Sequence, residues 1–389
     1  MSRLDELIQE KCPDGVEYKT LSEVFDTRNG YTPSKKEKNF WENGTIPWFR
    51  MEDIRENGGI LDKATQYVSK EAVKGSQFPA NPIIVATSAT IGEHALITVP
   101  SIANQRFTYL MIKEQYKDDY DPKFLYYYCF KLDEYCKECL NQGNFASVDM
   151  KKFAKFQFPR LPIEIQREIV RILDNFTNLT AELVKELTAR KTQYGYYRNK
   201  FLDFESSVSV KTIGDICDVV VGGEPPTDCI KGDVRDSTHI YPVWGNGKEV
   251  YGYSGTYKID RDAVVISSIG ANTGAVYYKE AFFTPIIRLK VILPKDNRIN
   301  ARFLFHALSG TTIKSKSSSV PNMNANEIKA IKIPVPPLDV QNRIVNVLDN
   351  FEKICSDLNI GLPAEIEARQ KQYEYYRDKL LTFKEVAAT

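Results

Sequence analysis

The 389-residue sequence has no long apolar run, almost no net charge and only three histidines. Its longest apolar stretches, residues 82–86 and 263–266, fall far short of the roughly 18 residues that a membrane-spanning helix needs. The first residues are charged and amphipathic, unlike a secretory signal, so we expect a cytoplasmic protein. Lysine and arginine number 52 against 51 acidic residues, whereas a wholly basic nucleic-acid binder would show a larger excess.

Motifs for catalysis are also missing from the sequence. It contains no G-x-x-x-x-G-K-S/T phosphate loop and no N/D-P-P-Y methyl-transfer motif, and the three histidines lie far apart. Cys129, Cys136 and Cys139 could offer three zinc ligands, but the second ligand pair of a structural site is absent, and their helical spacing favours packing. Seven cysteines, an odd number, indicate free thiols.

The sequence does contain an internal repeat. Residues 158–176 are identical to residues 333–351 at nine of 19 positions, and residues 190–204 match residues 369–383 at nine of 15. In both copies apolar residues recur at steps of three and four, which predicts two helices with a coiled-coil seam. Each would contain about 40 residues and measure about 60 Å.

Proline and glycine residues mark where these helices begin or are interrupted. Pro162 and Pro337 suit helix starts, where a missing N–H has no cost. The offset between the copies grows from 175 to 179, so the second copy has four additional residues near Gly361 and Pro363. These two residues predict either a break or a kink in the second helix.

Each repeated helix follows a segment rich in aromatics, glycine and short β-branched runs, which predicts a mixed α/β domain with short strands. The two segments are distantly alike, because residues 20–35 align with 212–227 and residues 83–97 with 264–278. Short linkers then predict two similar heads at opposite ends of an antiparallel helix pair. The expected boundaries are 1–157 for the first head, 158–205 for the first helix, 206–332 for the second head and 333–389 for the second helix and tail.

Two similar heads on a spacer suit a ligand with two quasi-equivalent sites at a fixed separation. Duplex DNA is such a ligand, because half-sites recur with its helical turn of roughly 34–36 Å. The heads differ in sequence, so the two half-sites should differ as well. The sequence therefore predicts a split, asymmetric target.

The repeated block P-x-x-P-x-x-x-Q-x-x-I-V-x-x-L-D-N-F and the ending Q-Y-x-Y-Y-R-x-K, present in both copies, resemble the specificity subunit of Type I restriction–modification enzymes. The resemblance covers the whole chain. It implies an α+β fold with two target-recognition domains separated by two long antiparallel coiled-coil helices, related by a pseudo-two-fold repeat.

The resemblance also implies partners. Two methyltransferase subunits would bind the helices, and motor-nuclease restriction subunits would join the full complex on double-stranded DNA. The chain would perform no chemistry alone, because S-adenosylmethionine, ATP and magnesium would be bound by the partner subunits. No cofactor or metal is expected in this chain.

Candidate DNA contacts are basic residues outside the helices that have amide, hydroxyl or aromatic neighbours. A solvated surface explains any single lysine better, but the loops VATSATIG and ISSIGANTG occupy matched places in both heads, which favours them. In the first head the candidates are Lys35, Lys36, Arg50, Thr87, Ser88, Thr90, Asn104, Gln105 and Arg106. In the second head they are Lys231, Arg235, Asn246, Lys248, Ser267, Ser268, Asn272, Thr273, Arg288, Lys314 and Lys316.

Candidate partner contacts lie on the repeated helices. The periodicity places Tyr197 and Tyr376 on the seam, which leaves the other tyrosine of each pair free for a partner. Aromatic residues and arginine dominate interface hot spots, although core packing and capping explain several of these residues as well. The candidates are Gln166, Tyr196, Arg198, Gln341, Tyr375 and Arg377.

Two other functions stay open on the sequence. The same architecture could serve as a two-headed protein-binding scaffold. A nuclease is the less favoured alternative, because the acidic residues of Pro13-Asp14 and Glu17-Tyr18-Lys19 are too close together to flank a metal at the ends of separate strands.

Overall fold

The computed structural model describes residues 3–141, 146–204, 208–233, 235–269, 272–309, 323–357 and 359–386. Lys314 and Lys316 lie outside the described residues. The chain forms two compact units, unit 1 of residues 1–181 and 368–389 and unit 2 of residues 182–367. None of the helices in the described part of the chain combines the length and apolar character needed to cross a membrane.

Unit 1 begins with the first head, which we define as the part that precedes the first long helix. Its helices are α1 (Arg3–Lys11), α2 (Leu21–Val24), α3 (Met51–Asn57), α4 (Pro122–Glu138) and α5 (Met150–Phe153), and the long helix that follows is α6 (Ile163–Leu202). Its strands are β1 (Glu17–Thr20), β2 (Phe25–Asn29), β3 (Ile46–Phe49), β4 (Ile60–Leu61), β5 (Tyr67–Val68), β6 (Ile83–Ala86), β7 (His94–Ile97), β8 (Ile102–Ala103), β9 (Phe107–Ile112) and β10 (Gln157–Arg160).

The described strands of the first head form three sheets. The largest has the order β2-β9-β6-β7-β4, a second has the order β5-β3-β8, and β1 pairs antiparallel with β10. The central strand β6 is buried on both faces, because Ile83 and Val85 pack on the side of α4 while Ile84 and Ala86 pack towards the second sheet. A strand covered on both faces requires the continuous apolar run seen in its sequence.

Unit 2 contains the second head, which we define as the part between α6 and the next long helix. Its strands are β11 (Val210–Thr212), β12 (Cys217–Val221), β13 (Ile230–Lys231), β14 (Tyr241–Trp244), β15 (Gly252–Ser254), β16 (Ala263–Ile266), β17 (Val276–Lys279), β18 (Thr284–Pro285), β19 (Lys290–Pro294) and β20 (Lys332–Pro334). Its helices are α7 (Ile213–Ile216), α8 (Ala301–Ser309) and α9 (Ala325–Lys329), followed by α10 (Leu338–Ser356) and α11 (Leu362–Leu380), of which α11 begins in unit 2 and ends in unit 1.

The two heads share the order of four strands in their large sheets. The second head has a sheet of order β12-β19-β16-β17, which matches β2-β9-β6-β7, and a sheet of order β13-β15-β14-β18. The likeness extends to local structure, since Thr20 with Glu23 and Thr212 with Asp215 form equivalent capping boxes that satisfy free N–H groups at a helix start. The alignment of residues 20–35 with 212–227 is confirmed.

The first repeated helix is one continuous helix, whereas the second is divided. A Cβ on Gly361 would lie 2.5 Å from the carbonyl oxygen of Lys353 and 2.6 Å from that of Asp357, so only glycine fits at this position, directly before α11. Pro363 lies in the first turn of α11, where a proline has no N–H bond to lose. Of the two alternatives at this point, the structure shows a break.

The predicted seam brings the repeated helices into contact in each unit. In unit 1, Phe176 of α6 stacks on Tyr376 of α11 with 5.5 Å between ring centroids. In unit 2, Tyr197 of α6 stacks on Phe351 of α10 at 5.7 Å. Tyr197 and Tyr376 therefore lie on the seam, as the periodicity predicts, and the α+β fold class is confirmed.

Candidate nucleic-acid interface

In the first head, two predicted DNA-contacting loops meet at one edge of the large sheet. The loop after β6 begins at Thr87, whose N–H donates to the carbonyl oxygen of Arg106 over 2.9 Å. The N–H of Arg106 in turn donates to Oδ1 of Asn104 over 2.9 Å. Gln105 is exposed and accepts a hydrogen bond from the hydroxyl of Thr32. Gln105 and Arg106 are therefore exposed to solvent at this edge, on a loop whose backbone is fixed by hydrogen bonds.

The second head builds the same edge with other side chains. Oγ of Ser268 donates to the carbonyl oxygen of Arg288 over 2.7 Å, and Oγ of Ser267 donates to the carbonyl oxygen of Asn246 over 3.0 Å. The amide of Asn246 closes the cluster by donating to the carbonyl oxygen of Ile287. Arg288 is exposed and has the same place relative to β18 and β19 as Arg106 has relative to β8 and β9.

The structure corrects the interpretation of two serines. We predicted that Ser267 and Ser268 contact DNA, but both are fully buried and their hydroxyls donate to backbone carbonyl groups. Their side chains hold the loop that carries Arg288 and are not displayed at the surface. In the first head Thr87 has the equivalent place and is partly exposed.

The remaining candidates are spread over both heads. Lys35 and Arg50 line a cleft of about 620 Å³ together with Trp41 and Trp48, and the Arg50 guanidinium lies 5.6 Å from the Trp48 ring. A cation beside a cleft lined by aromatic residues is compatible with nucleic-acid binding. Exposed candidates outside this cleft are Lys36, Lys231, Arg235, Lys248 and Asn272, while Ser88, Thr90 and Thr273 are partly buried.

The first head is fixed to α6 by a set of contacts that we call the first joint. Gln166 of α6 is fully buried, and its Oε1 accepts from the N–H of Asp121 over 2.9 Å while its Nε2 donates to the carbonyl oxygens of Asp119 and Leu161. Two turns later, Asp174 accepts from Lys123 and from the hydroxyl of Tyr127, both over 2.7 Å, and burial raises the Tyr127 pKa.

The second joint repeats this arrangement in unit 2. Oε1 of Gln341 accepts from the N–H of Asn300 over 2.9 Å, and its Nε2 donates to the carbonyl oxygens of Arg298 and Pro336. Asp349 lies 2.8 Å from Nε of Arg302 and 2.7 Å from Nε2 of His306.

The joints change the interpretation of the two repeated glutamines. We predicted Gln166 and Gln341 as partner contacts, but both are fully buried with every amide atom bonded to the backbone of their own head. A buried amide must satisfy its polar groups internally, and these two do so by binding the head to the helix.

The residues of the heads that contact the helices at the two joints were not predicted from the sequence. The tripeptides Lys123-Phe124-Leu125 and Arg302-Phe303-Leu304 follow the helix-capping residues Asp121 and Asn300 in the two heads. This match at an offset of 179 is the signal that could have revealed them.

The second joint also collects potential metal ligands. One ligand atom each from His306, Asp349 and Glu352 lies within 4.8 Å of the others. Arg302 already pairs with both carboxylates, at 2.8 Å and 2.5 Å, and burial lowers the pKa of His306. In the first joint Tyr127 and Lys123 occupy the equivalent places. The cluster is therefore best described as an ion pair that fixes the head.

The tyrosine–arginine pairs on the helices divide into inner and outer residues. Tyr196 and Tyr375 are 60% and 64% exposed. Arg377 instead packs inward, with its guanidinium 4.4 Å from the ring of Phe130 in α4. Arg198 is half-buried and lies 5.6 Å from the Tyr194 ring. The two tyrosines have a free face for a partner, whereas the arginines contact groups of their own unit.

Comparison with known proteins identifies the family. The sequence model of the Type I restriction modification DNA specificity domain matches residues 13–190 and 205–368. The chain belongs to this family. The Type I restriction enzyme EcoprrI specificity subunit of Escherichia coli is 43% identical over 377 residues, which cover 92% of this chain and 93% of that protein. The EcoR124I/EcoR124II specificity subunit of Escherichia coli is 34% identical over 67% of this chain and 70% of its own.

Solved structures show the same fold. The S subunit of a type I restriction–modification system from M. genitalium superposes with a TM-score of 0.58 and 16% identity, over 94% of this chain and 96% of its own. A chain from a study of the assembly and conformational transition of the type I R-M system gives a TM-score of 0.64 and 16% identity, over 95% and 98%. The predicted resemblance to Type I specificity subunits is confirmed.

Proposed function

We propose that this chain reads a bipartite, asymmetric DNA target, with one half-site per head, and assembles methyltransferase subunits on its helices. The observation that carries the proposal is the pair of equivalent sheet edges. Each edge presents an arginine, Arg106 or Arg288, on a loop held by hydroxyl or backbone hydrogen bonds. The surrounding residues differ, since Gln105 in the first head is replaced by Ile287 in the second.

Arginine is suited to reading a base, because two N–H groups of its guanidinium can donate to guanine O6 and N7 in the major groove. A rigid loop limits the conformational entropy that the side chain loses on binding. Unlike neighbours around the two arginines would give unlike half-sites. Flanking lysines would contact phosphates and set the register without reading sequence.

In this proposal the domain boundaries 1–157 and 206–332 delimit the two recognition domains, and the chain is cytoplasmic. The chain performs no catalysis itself, and motor-nuclease subunits join for restriction. S-adenosylmethionine, ATP and magnesium would be bound by the partner subunits.

The experiment is methylome sequencing of a host that expresses the methyltransferase subunits with and without this chain. We expect a split, asymmetric methylated motif that depends on the chain. Methylation that is unchanged without the chain would contradict the proposal. DNA cleavage by the purified chain with magnesium would favour a nuclease, and partner binding without DNA preference would favour a scaffold.

A further inference from the structure

A lysine with a largely buried side chain lies at the presented edge of the second head. Lys290 is the first residue of β19 and is only 6% exposed. The Arg288 guanidinium is close enough to lower the pKa of the Lys290 ammonium, in addition to the larger effect of burial. Two positive charges therefore lie two residues apart at the start of β19, and one of them is on a side chain that is largely buried.

No carboxylate compensates this pair in the described part of the chain. Neither Arg288 nor Lys290 takes part in an ion pair there, although Arg302 in the same unit does. Residues 310–322, outside the described ranges, contain no Asp or Glu in their sequence. Two neighbouring positive charges without a carboxylate partner among the described residues repel each other, so an external anion would stabilise this edge.

The backbone beside this pair is strained. Ile287 and Arg288 have φ values of 51° and 58°, in the left-handed region that a β-branched residue rarely enters. The N–H of Ile287 donates to the carbonyl oxygen of Gly223 over 2.8 Å, and the N–H of Arg288 donates to that of Gly222 over 3.1 Å. Such strain persists where surrounding structure enforces it and is concentrated at binding sites.

The first head lacks this feature. The residue in register with Lys290 is Thr108, because Asn29 pairs with Thr108 as Val221 pairs with Lys290. Thr108 is neutral, and its hydroxyl donates to Oδ1 of Asn29 over 2.9 Å. The cation pair therefore distinguishes the second head from the first.

We propose that Lys290, beside Arg288, binds a backbone phosphate of DNA, and that the first head, with Thr108 in the equivalent place, does not have this site. The inference rests on the proposed function and adds a positioning site to it. Lys290 would contact phosphate whatever the sequence, which fixes the second head on its half-site and leaves Arg288 partly free to read a base edge. The two heads would then differ in salt dependence as well as in sequence preference.

The test measures DNA affinity of the full chain in complex with methyltransferase subunits over a series of salt concentrations. The probes are a short duplex of random sequence and a duplex with the methylated motif. In Lys290→Met we expect the slope of log affinity against log salt to fall by about 0.9, which corresponds to roughly an eightfold loss at 0.1 M salt, on both probes. Lys332→Met, an exposed lysine on β20, should change neither the slope nor the affinity.

Thermal unfolding of the same variants separates binding from a structural role. Because the Lys290 side chain is largely buried and its charge has no counter-ion among the described residues, Lys290→Met should unfold at the same or a higher temperature, and Lys290→Arg should keep the slope. An unchanged slope in Lys290→Met, or a loss of folding in that variant, would overturn the inference. If the wild-type complex does not prefer the motif, the proposed function fails, while the slopes on random duplex still decide this site.

Discussion

At the scale of single residues, two buried glutamines connect the heads to the repeated helices. Gln166 and Gln341 each bridge three backbone groups of a head with one amide. The same sequence position thus performs the same task twice. The repeat in the sequence singles out both residues, but the helical period cannot tell which side of a helix a head covers, so a partner contact was the expectation.

Replacing Gln341 should destabilise unit 2. Gln341→Leu leaves the N–H of Asn300 and two carbonyl groups buried without partners, which should lower the free energy of unfolding by about 2–3 kcal/mol. Chemical denaturation would measure the loss. The exposed Gln9→Leu in α1 should be close to neutral, and a similar loss in both variants would contradict a specific joint.

His306 should make the second joint sensitive to pH. Burial lowers the pKa of His306 from 6.5 in the folded chain, so the unfolded chain binds more protons between the folded and unfolded values. Stability contributed by the neutral histidine is therefore present above pH 6.5 and is lost as the pH falls from 6.5 towards the folded pKa. Thermal unfolding from pH 7.5 down to 5.5 would show the loss.

His306→Gln is the matched control for this pH dependence. Glutamine can still donate to Asp349 but has no proton to gain in this range, so the loss of stability below pH 6.5 should be smaller. The wild type and the variant have the same charged and polar groups around position 306, which are Asp349, Glu352, Arg302, Arg198 and Tyr194. Identical pH profiles of the two proteins would show that His306 does not cause the effect.

At the scale of elements, the repeated helices have separate inner and outer faces. Steps of three and four in the sequence predicted the seam correctly, because apolar spacing follows directly from helix geometry. The same pattern left open whether Gly361 breaks the helix. That outcome depends on the carbonyl groups of Lys353 and Asp357, which approach too closely for a Cβ.

The two neighbouring tyrosines of α11 should separate assembly from stability. Tyr375→Ala removes a ring that is 64% exposed and should leave stability unchanged while weakening methyltransferase binding at least about fivefold. Tyr376→Ala removes the ring stacked on Phe176 and should cost about 1–2 kcal/mol of stability. Calorimetric titration and denaturation would measure both, and equal effects in the two variants would refute the division into faces.

At the scale of the whole molecule, the chain contains the same unit twice, a mixed α/β domain followed by a repeated helix segment. Its order of domain and helix was predictable, since 18 identities lie in the two aligned helix blocks. The supports within the heads were not predictable. Lys290 lies in an otherwise apolar strand and is distinguished by the burial of its side chain. That burial cannot be read from a single sequence. Ser267 and Ser268 likewise read as surface residues until their hydroxyl partners are known.

The central claim is that the two heads read independent half-sites, and methylome sequencing of single-arginine variants tests it most directly. Cells that express the methyltransferase subunits with Arg106→Ala or Arg288→Ala would be compared with wild type. We expect Arg106→Ala to relax or abolish specificity in one half of the methylated motif and Arg288→Ala to do so in the other half. Relaxation of both halves by either variant, or of the same half by both, would contradict the claim.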